Sequence, residues 1–270
     1  MAYTWKILIV CASKNDIDLN NYSDDPLFSS KHYAFFNVGK EPFSIDGFDV
    51  INCCEVPGYV RLGRKYAESE VIYNVRKLNL FSDCDYLGLM HSDFKFFDKM
   101  SMTSYVTMLI SESVKQGTDF MSFFTGMLLH VVGPYNVLFD ERKPNCLFVR
   151  NSGLENPKSV NEKIVADIER ILHKHVDLNV FDIQSKVALC CSFLVRRNVF
   201  NEIGDLIVDL IDSHCLDGFD VEDRHRFPGQ VAERYVALFS LLYKKTCFQL
   251  EHLFVGGHKD LQNNSNAENY

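Results

Sequence analysis

The stretch Asp85-Tyr86-Leu87-Gly88-Leu89-Met90-His91-Ser92-Asp93 runs from an apolar segment straight into an imidazole and a carboxylate two residues apart. At the carboxyl end of a central strand, such groups face the crevice where open α/β sheets bind ligands. A carboxylate there can hold a divalent cation that bridges phosphates, or hold sugar hydroxyls. The plainer reading stays open beside it: Asp93 caps the following turn and His91 is a half-buried surface residue. Ala12-Ser13-Lys14-Asn15 opens a polar turn after the first apolar run, Lys6 to Cys11, and takes the equivalent place on another strand.

Arg61, Arg64 and Lys65 lie at or just before a helical stripe. Guanidinium forks match phosphate oxygens, and a helix start adds favourable partial positive charge, so one reading is a diphosphate clamp and the other a solvated basic turn. Basic residues at a helix start oppose its dipole, which favours a bound anion slightly. The segment Asp220 to Arg234 gathers acids, bases and a histidine before and into a helix, with Asp223 ahead of it and Glu233 in its first turns. A carboxylate there can deprotonate an acceptor hydroxyl, or it can simply stabilise the helix start. His258 and Lys259 follow the pair Gly256-Gly257. They read either as a flexible closure over a pyrophosphate or metal, or as an exposed loop end.

Several established chemistries lack their motifs. There is no G-x-x-x-x-G-K-[ST] loop, no G-x-G-x-x-G, no H-E-x-x-H and no G-x-S-x-G. No C-x-x-C pair occurs among the nine cysteines, which argues against a structural zinc site. Several sit in apolar runs as small hydrophobes, and a reducing, cytoplasmic compartment is expected.

The elements that must position these groups alternate. Lys6 to Cys11 suits a buried parallel strand, and Asp16 to Lys40 reads as polar and irregular. Phe48 to Cys53 reads as a short strand. Tyr66 to Asn79 carries Ala67, Val71, Ile72, Val75 and Leu78 at helical spacing. Tyr86 to Met90 is a compact strand, and Met100 to Gln116 a helix stopped by Gly117. Phe120 to Phe124 and Met127 to Val132 read as strands around Gly126, and Val160 to Val176 as an amphipathic helix. Val187 to Val195 reads as one buried strand, Asn198 to Ile211 as a helix. Pro228 opens the last helix, and Cys247 to Val255 returns as a strand. An irregular stretch is expected near Phe139 to Lys158. Such alternation is α/β.

With 270 residues and 47% hydrophobic content, the chain can bury a large core, and residues 1–260 are expected as one domain before an Asn-rich, disordered tail at 261–270. A net charge of -8 argues against a nucleic-acid binder. No apolar run approaches the ~20 residues of a membrane helix, and the N-terminal run lacks a signal peptide's pattern.

Taken in order, these segments resemble GT-A glycosyltransferases of capsular and surface polysaccharide synthesis, and especially a bacterial family once catalogued only as a domain of unknown function. Arg64-Lys65-Tyr66-Ala67-Glu68-Ser69-Glu70 resembles that family's K-N-x-x-Y-C-E-L-T helix start. Asp85 to His91 resembles its D-Y-V-G-L-C-H-Y-R-R strand. Phe193-Leu194-Val195-Arg196-Arg197-Asn198-Val199-Phe200, followed by Phe227 to Arg234, resembles F-I-M-K-K-E-I-F and R-x-x-G-Y-L-A-E-R.

The resemblance implies a single GT-A-like, Rossmann-like domain with a mostly parallel central sheet flanked by helices. It implies hexosyl or pentosyl transfer from a nucleotide-diphospho-sugar, UDP-sugar favoured, to a hydroxyl of a glycan acceptor. Ala12, Ser13, Lys14 and Asn15 would touch the nucleotide, and Arg64, Lys65 and Lys259 would lie near the diphosphate. His91-Ser92-Asp93 takes the place of the D-x-D motif, with His91 where that motif has its first acid. His91, Asp93 and His258 would then hold Mn²⁺ or Mg²⁺, or positive side chains replace the metal. Glu233 falls where inverting relatives present a catalytic base, with Asp223 as runner-up. The enzyme would work in the cytoplasm, peripheral to a membrane-bound acceptor. Two other readings stand beside this one: a non-catalytic nucleotide-sugar or glycan-binding module, motivated by the missing first acid, and a metal-dependent phosphoester hydrolase, motivated only by His91, Asp93 and His258.

Overall fold

The computed structural model describes residues 3–19, 22, 25–66, 68–92, 94–96, 101–123, 125–127, 157–177, 186–188, 191–216, 227–243 and 252–254. Its strands are β1 (Trp5–Cys11), β2 (Tyr33–Asn37), β3 (Val50–Asn52), β4 (Tyr86–His91), β5 (Phe94–Phe96), β6 (Phe120–Ser122), β7 (Thr125–Met127), β8 (Lys186–Ala188), β9 (Phe193–Arg196) and β10 (His252–Phe254). The α-helices are α1 (Ser69–Lys77), α2 (Met102–Gln116), α3 (Pro157–Leu172), α4 (Arg197–Asp212) and α5 (Phe227–Ser240).

Six strands form one sheet in the order β3-β2-β1-β4-β9-β6. β1 runs parallel to β2 and β4, β2 parallel to β3, and β9 antiparallel to both β4 and β6. All its strands except β9 therefore point the same way. A strand covered on both faces reads as a near-continuous apolar run; beyond the half-buried Lys6, β1 does so from Ile7 to Cys11. Its alternate residues feed two cores. Ile7, Ile9 and Cys11 join Phe35, Tyr86 and Met90 under α2, through Met102, Val106, Leu109 and Ile110. Leu8 and Val10 join Phe36, Leu87 and Leu89 under the other helices, through Val71 and Val75 of α1, Ile168 of α3, Phe200 and Ile207 of α4, and Tyr235 and Phe239 of α5. Burying each such side chain contributes roughly 1.5–3 kcal/mol, so the two faces clamp the sheet between helical layers.

Register fixes what the sheet presents at its carboxyl edge. Val10 pairs with His91, Cys11 with Asn37, and Asn37 with Asn52. The ends of β3, β2, β1 and β4 therefore form one row. Away from this sheet, β10 pairs antiparallel with β5, with Phe254 opposite Phe94, and β7 pairs with β8.

Several expectations change. The segment Asp16 to Lys40 contains β2, whose five residues are all buried. The aromatic run Tyr33-Ala34-Phe35-Phe36-Asn37 is short, and the polar residues before it masked its character. Val187 to Val195 is two strands in different sheets, β8 and β9. Cys191 between them has a φ of 45°, which turns the chain. Gly126 lies inside β7 rather than between two strands. The long helix ends at Leu172, although Val176 beyond it is still buried. The helix expected from Tyr66 begins at Ser69, so Arg61, Arg64 and Lys65 precede it and do not oppose its dipole. Glu70 stands in its first turn instead.

Candidate functional site

The carboxyl edge of the parallel strands gathers the polar loops. After β1 the chain makes a single 3-10 turn, Lys14–Asp16. The Asp16 carboxylate accepts the backbone N–H groups of Ala12 and Ser13, at 2.8 and 2.7 Å. These amides, expected to touch a nucleotide, are thus held by the loop's own acid. Ser13 is half-buried, and Lys14 and Asn15 are exposed beside it.

After β2 the chain presses against that loop. The Val38 N–H donates to the Cys11 carbonyl at 2.8 Å. A Cβ on Gly39 would lie 1.7 Å from the Ala12 carbonyl oxygen, so only glycine fits there. Asn37, fully buried, donates to the Glu41 carbonyl and to Asn52 Oδ1 and accepts the Gly39 N–H. Its side chain ties together the ends of β2 and β3.

A third segment, residues 59–66, crosses the same edge and carries the basic cluster. Two buried polar residues of α1 fasten it. Glu70 Oε2 accepts from the Leu62 and Gly63 N–H groups at 2.9 and 2.7 Å, and its Oε1 accepts the Tyr59 hydroxyl at 2.9 Å. Burial and the Glu70 carboxylate push the Tyr59 phenol far above its ordinary range. Asn74 both accepts the Val60 N–H and donates to the Val60 carbonyl, at 2.7 and 2.8 Å. Arg61 donates through Nη2 to the Val38 carbonyl at 2.6 Å and is otherwise exposed, which joins this segment to the loop after β2. Arg64 opens a 3-10 turn, Arg64–Tyr66, in which the Lys65 ammonium stands 5.4 Å from the Tyr66 ring centre.

Helix α5 closes the site from above this turn. A Cβ on Gly229 would lie 3.0 Å from the Tyr66 carbonyl and 3.1 Å from that of Lys65. One turn further on stands Glu233, half-buried, with Arg234 next to it. Burial pushes the Arg234 guanidinium down to about 10, against the opposing pull of Glu233.

His91 ends β4, its side chain 21% exposed. Glu68, just ahead of α1, turns its carboxylate toward the ring, with Oε1 3.4 Å from Nδ1. Of the residues expected from sequence, the structure brings the Ala12–Asn15 loop, the Arg64-Lys65 turn, His91 and the Glu233 helix to one side of the sheet. Asp93, Asp223, His258 and Lys259 lie outside the described residues. Among the described residues, no group of three or more His, Cys, Asp or Glu side chains gathers as for a metal ion.

Sequence reasoning missed Glu68, Glu70, Asn74 and Asn37. The signal was there in part: Glu70 and Asn74 are spaced i, i+4 on the apolar stripe of α1, where a polar pair needs a buried partner.

No protein-family model and no curated protein matches the chain. Among solved structures, it is similar to the apo structure of the bifunctional glycosyltransferase WbbM. The TM-score is 0.56 at 15% identity, over 94% of this chain and 46% of that one, so the chain spans about half of WbbM's length. Apo mouse xyloside xylosyltransferase 1 aligns at 9% identity over 92% of this chain and 84% of that one, TM-score 0.38. The mannosyltransferase Ktr4p from S. cerevisiae, in complex with GDP, aligns at 13% identity over 88% and 67%, TM-score 0.39. At such identity the likeness to WbbM is one of fold: a GT-A-like α/β architecture with a mostly parallel six-stranded sheet flanked by helices.

Proposed function

We propose that the chain is a glycosyltransferase that moves a sugar from a nucleotide-diphospho-sugar, UDP-sugar favoured, to a hydroxyl of a glycan acceptor. One observation carries the reading. The loop after β1, the basic 59–66 segment, His91 and the Glu233 helix converge at the carboxyl edge of the parallel strands, where open α/β sheets bind ligands. The fold likeness to WbbM, itself described as a glycosyltransferase, supports it.

In this reading the Ala12–Asn15 loop receives the nucleotide, its backbone stiffened by Asp16. Arg64 and Lys65 take the diphosphate, joined by Lys259. Preorganised positive charge there stabilises the leaving group as it gains charge. Glu233 takes the proton of the acceptor hydroxyl. That oxygen bonds to the anomeric carbon, the bond from this carbon to the diphosphate oxygen breaks, and the nucleoside diphosphate leaves with the electron pair. Asp223 is the second candidate for the base.

A divalent cation is part of the proposal: an imidazole at His91 and a carboxylate at Asp93 would both suit Mn²⁺. Held by His91, Asp93 and His258, Mn²⁺ or Mg²⁺ would neutralise phosphate charge, whereas a metal-independent enzyme would rely on Arg64, Lys65 and Lys259. The cysteines described are free thiols, which suits the proposed cytoplasmic setting. No helix among the described residues is long and apolar enough to cross a membrane. The acceptor is proposed to be membrane-bound, met by a peripheral enzyme.

The experiment is a thermal-shift screen against UDP-, GDP-, CMP- and dTDP-sugars, each with and without Mn²⁺. A ligand that binds the native state raises the melting temperature by mass action. A shift with one nucleotide class identifies the donor class. No shift with any of them at millimolar concentration overturns the reading.

A further inference from the structure

We infer that Arg61 reads the base of the nucleotide rather than its diphosphate: its guanidinium donates to a ring carbonyl oxygen, so the sugar donor carries a keto base such as uracil, thymine or guanine, not cytosine or adenine. This deepens the transferase reading and rests on it for the presence of a nucleotide at this edge.

Arg61 and Glu68 mark two places on the row of strand ends. Arg61 Nη2 donates to the Val38 carbonyl, one residue beyond β2, at 2.6 Å. Glu68 Oε1 lies 3.4 Å from Nδ1 of His91, which ends β4. Arg64 and Lys65 stand between the two in sequence. In the sheet, β1 separates β2 from β4. Strands lie about 4.8 Å apart, so the two places are about 10 Å apart, with the Ala12–Asn15 loop between them. Burial pushes the Cys53 thiol up while the Arg61 charge pulls it back, which sets the guanidinium near the end of β3 as well. A nucleotide on the β1 loop whose diphosphate lies toward Arg64, Lys65 and His91 therefore turns its base toward Arg61.

The backbone on both sides of Arg61 is held before any ligand arrives. Asn74 accepts the Val60 N–H and Glu70 accepts that of Leu62, at 2.7 and 2.9 Å. A contact group fixed in advance loses less freedom on binding.

A guanidinium carries five N–H donors in a flat fork and accepts nothing. Arg61 is exposed, and among the described residues the Val38 carbonyl is its one hydrogen-bond acceptor. That bond fixes one arm of the fork and leaves the other donors for a ligand. Base edges then differ in what they offer. Uracil and thymine show O4, and guanine O6 and N7, all acceptors, whereas cytosine shows an amino group at N4 and adenine one at N6. Against an amino group, donor meets donor and neither is satisfied. The diphosphate is the same whatever the base, so a contact to it sorts none of them.

The test is calorimetry on the whole chain with UDP against CDP and GDP against ADP, pairs that share their diphosphate and ring size. The wild type is expected to bind the keto member of its preferred pair about tenfold more tightly, within the range for an arginine contact to a base edge. Arg61→Ala loses that factor for the keto member and leaves the amino member unchanged. Arg61→Gln, whose amide both donates and accepts, binds the two alike. Equal weakening of both members puts Arg61 on the diphosphate and overturns the inference, as do unchanged affinities or a wild-type preference for the amino member. Should Arg61→Ala not fold, judged by circular dichroism, Arg61→Gln decides. A wild type that binds none of the four overturns the transferase reading itself, whereas a base preference that survives both variants overturns only the role of Arg61.

Discussion

Gly229 of α5 stands against the backbone of Tyr66, so close that an added methyl group would sit 3.0 Å from the Tyr66 carbonyl oxygen. The contact sets the distance between the helix that carries Glu233 and the turn that carries Lys65. Backbone atoms on the far side cannot rotate away as a side chain would. Gly229→Ala is therefore expected to push α5 outward. Overpacking costs about 1–3 kcal/mol and the gain in helix propensity returns about 1, so a net loss of about 1 kcal/mol is expected in urea unfolding. Transfer activity should fall further than stability, because the two sides of the site separate. A variant with wild-type kcat would show that this contact does not set the site.

Glu70 anchors the segment that carries Arg61, Arg64 and Lys65, through three hydrogen bonds from Leu62, Gly63 and Tyr59. Glu70→Ala leaves two backbone donors without their acceptor and is expected to destabilise by about 3 kcal/mol. Glu70→Gln keeps an oxygen for the two N–H groups, and its amide can donate to the Tyr59 oxygen, so about 1 kcal/mol is expected. Donor KM should rise in the same order, since the basic turn loosens. Chemical denaturation together with steady-state kinetics on both variants checks the ranking.

The chain is expected to lose stability steeply in alkali. Burial pushes the phenols of Tyr33, Tyr59, Tyr235 and Tyr243 above their ordinary value of 10.0, and the Cys11 thiol above 9.0. Each keeps its proton when folded and loses it when unfolded, so the folded state binds more protons and stability falls as pH rises through those values. Arg234 acts the other way: its guanidinium, lowered from 12.5 to about 10, adds stability as pH rises between them. One such group cannot offset five. Melting temperature should fall continuously above about pH 9–10, with phenolate absorbance from these tyrosines appearing only on unfolding. A flat profile, or full phenolate signal before unfolding, would refute the assignment.

The sequence made some parts of the molecule plain and hid others for identifiable reasons. β1 and β4 are covered on both faces, so Ile7 to Cys11 and Tyr86 to Met90 are buried throughout and carry no charged residue, and the runs stand out. The sheet's parallel sense and the place of Ala12 and His91 at strand ends followed from that. β2 is equally buried but only five residues long, and the polar chain before it hid it. The Val187 to Val195 run looks continuous because composition does not record the turn at Cys191. A search for apolar spacing counts Glu68, Glu70 and Asn74 as breaks, and only the i, i+4 spacing of Glu70 and Asn74 on the apolar stripe of α1 marks two of them out. Their partners, His91 and the 59–63 backbone, come to them only through folding of β4 and the segment ahead of α1. Asp93, Asp223, His258 and Lys259 stay with the proposal, outside the described residues.

Glu233 is half-buried one turn beyond the Gly229 contact, with Arg234 beside it. If it is the base, Glu233→Gln removes the proton acceptor and leaves the shape. General-base catalysis contributes about 10²- to 10⁴-fold, and kcat should fall by that order while binding of UDP, measured by calorimetry, stays unchanged. Lys65→Ala should do the reverse in part: it removes charge from the diphosphate side, weakens UDP binding and steepens no step that the acceptor makes. The double variant then separates the roles, since sites that act on different atoms lose free energy additively. Full activity in Glu233→Gln would move the base to another carboxylate, with Asp223 the first to be replaced. Weakened UDP binding in Glu233→Gln would place its carboxylate on the donor side and end its assignment as the acceptor's base.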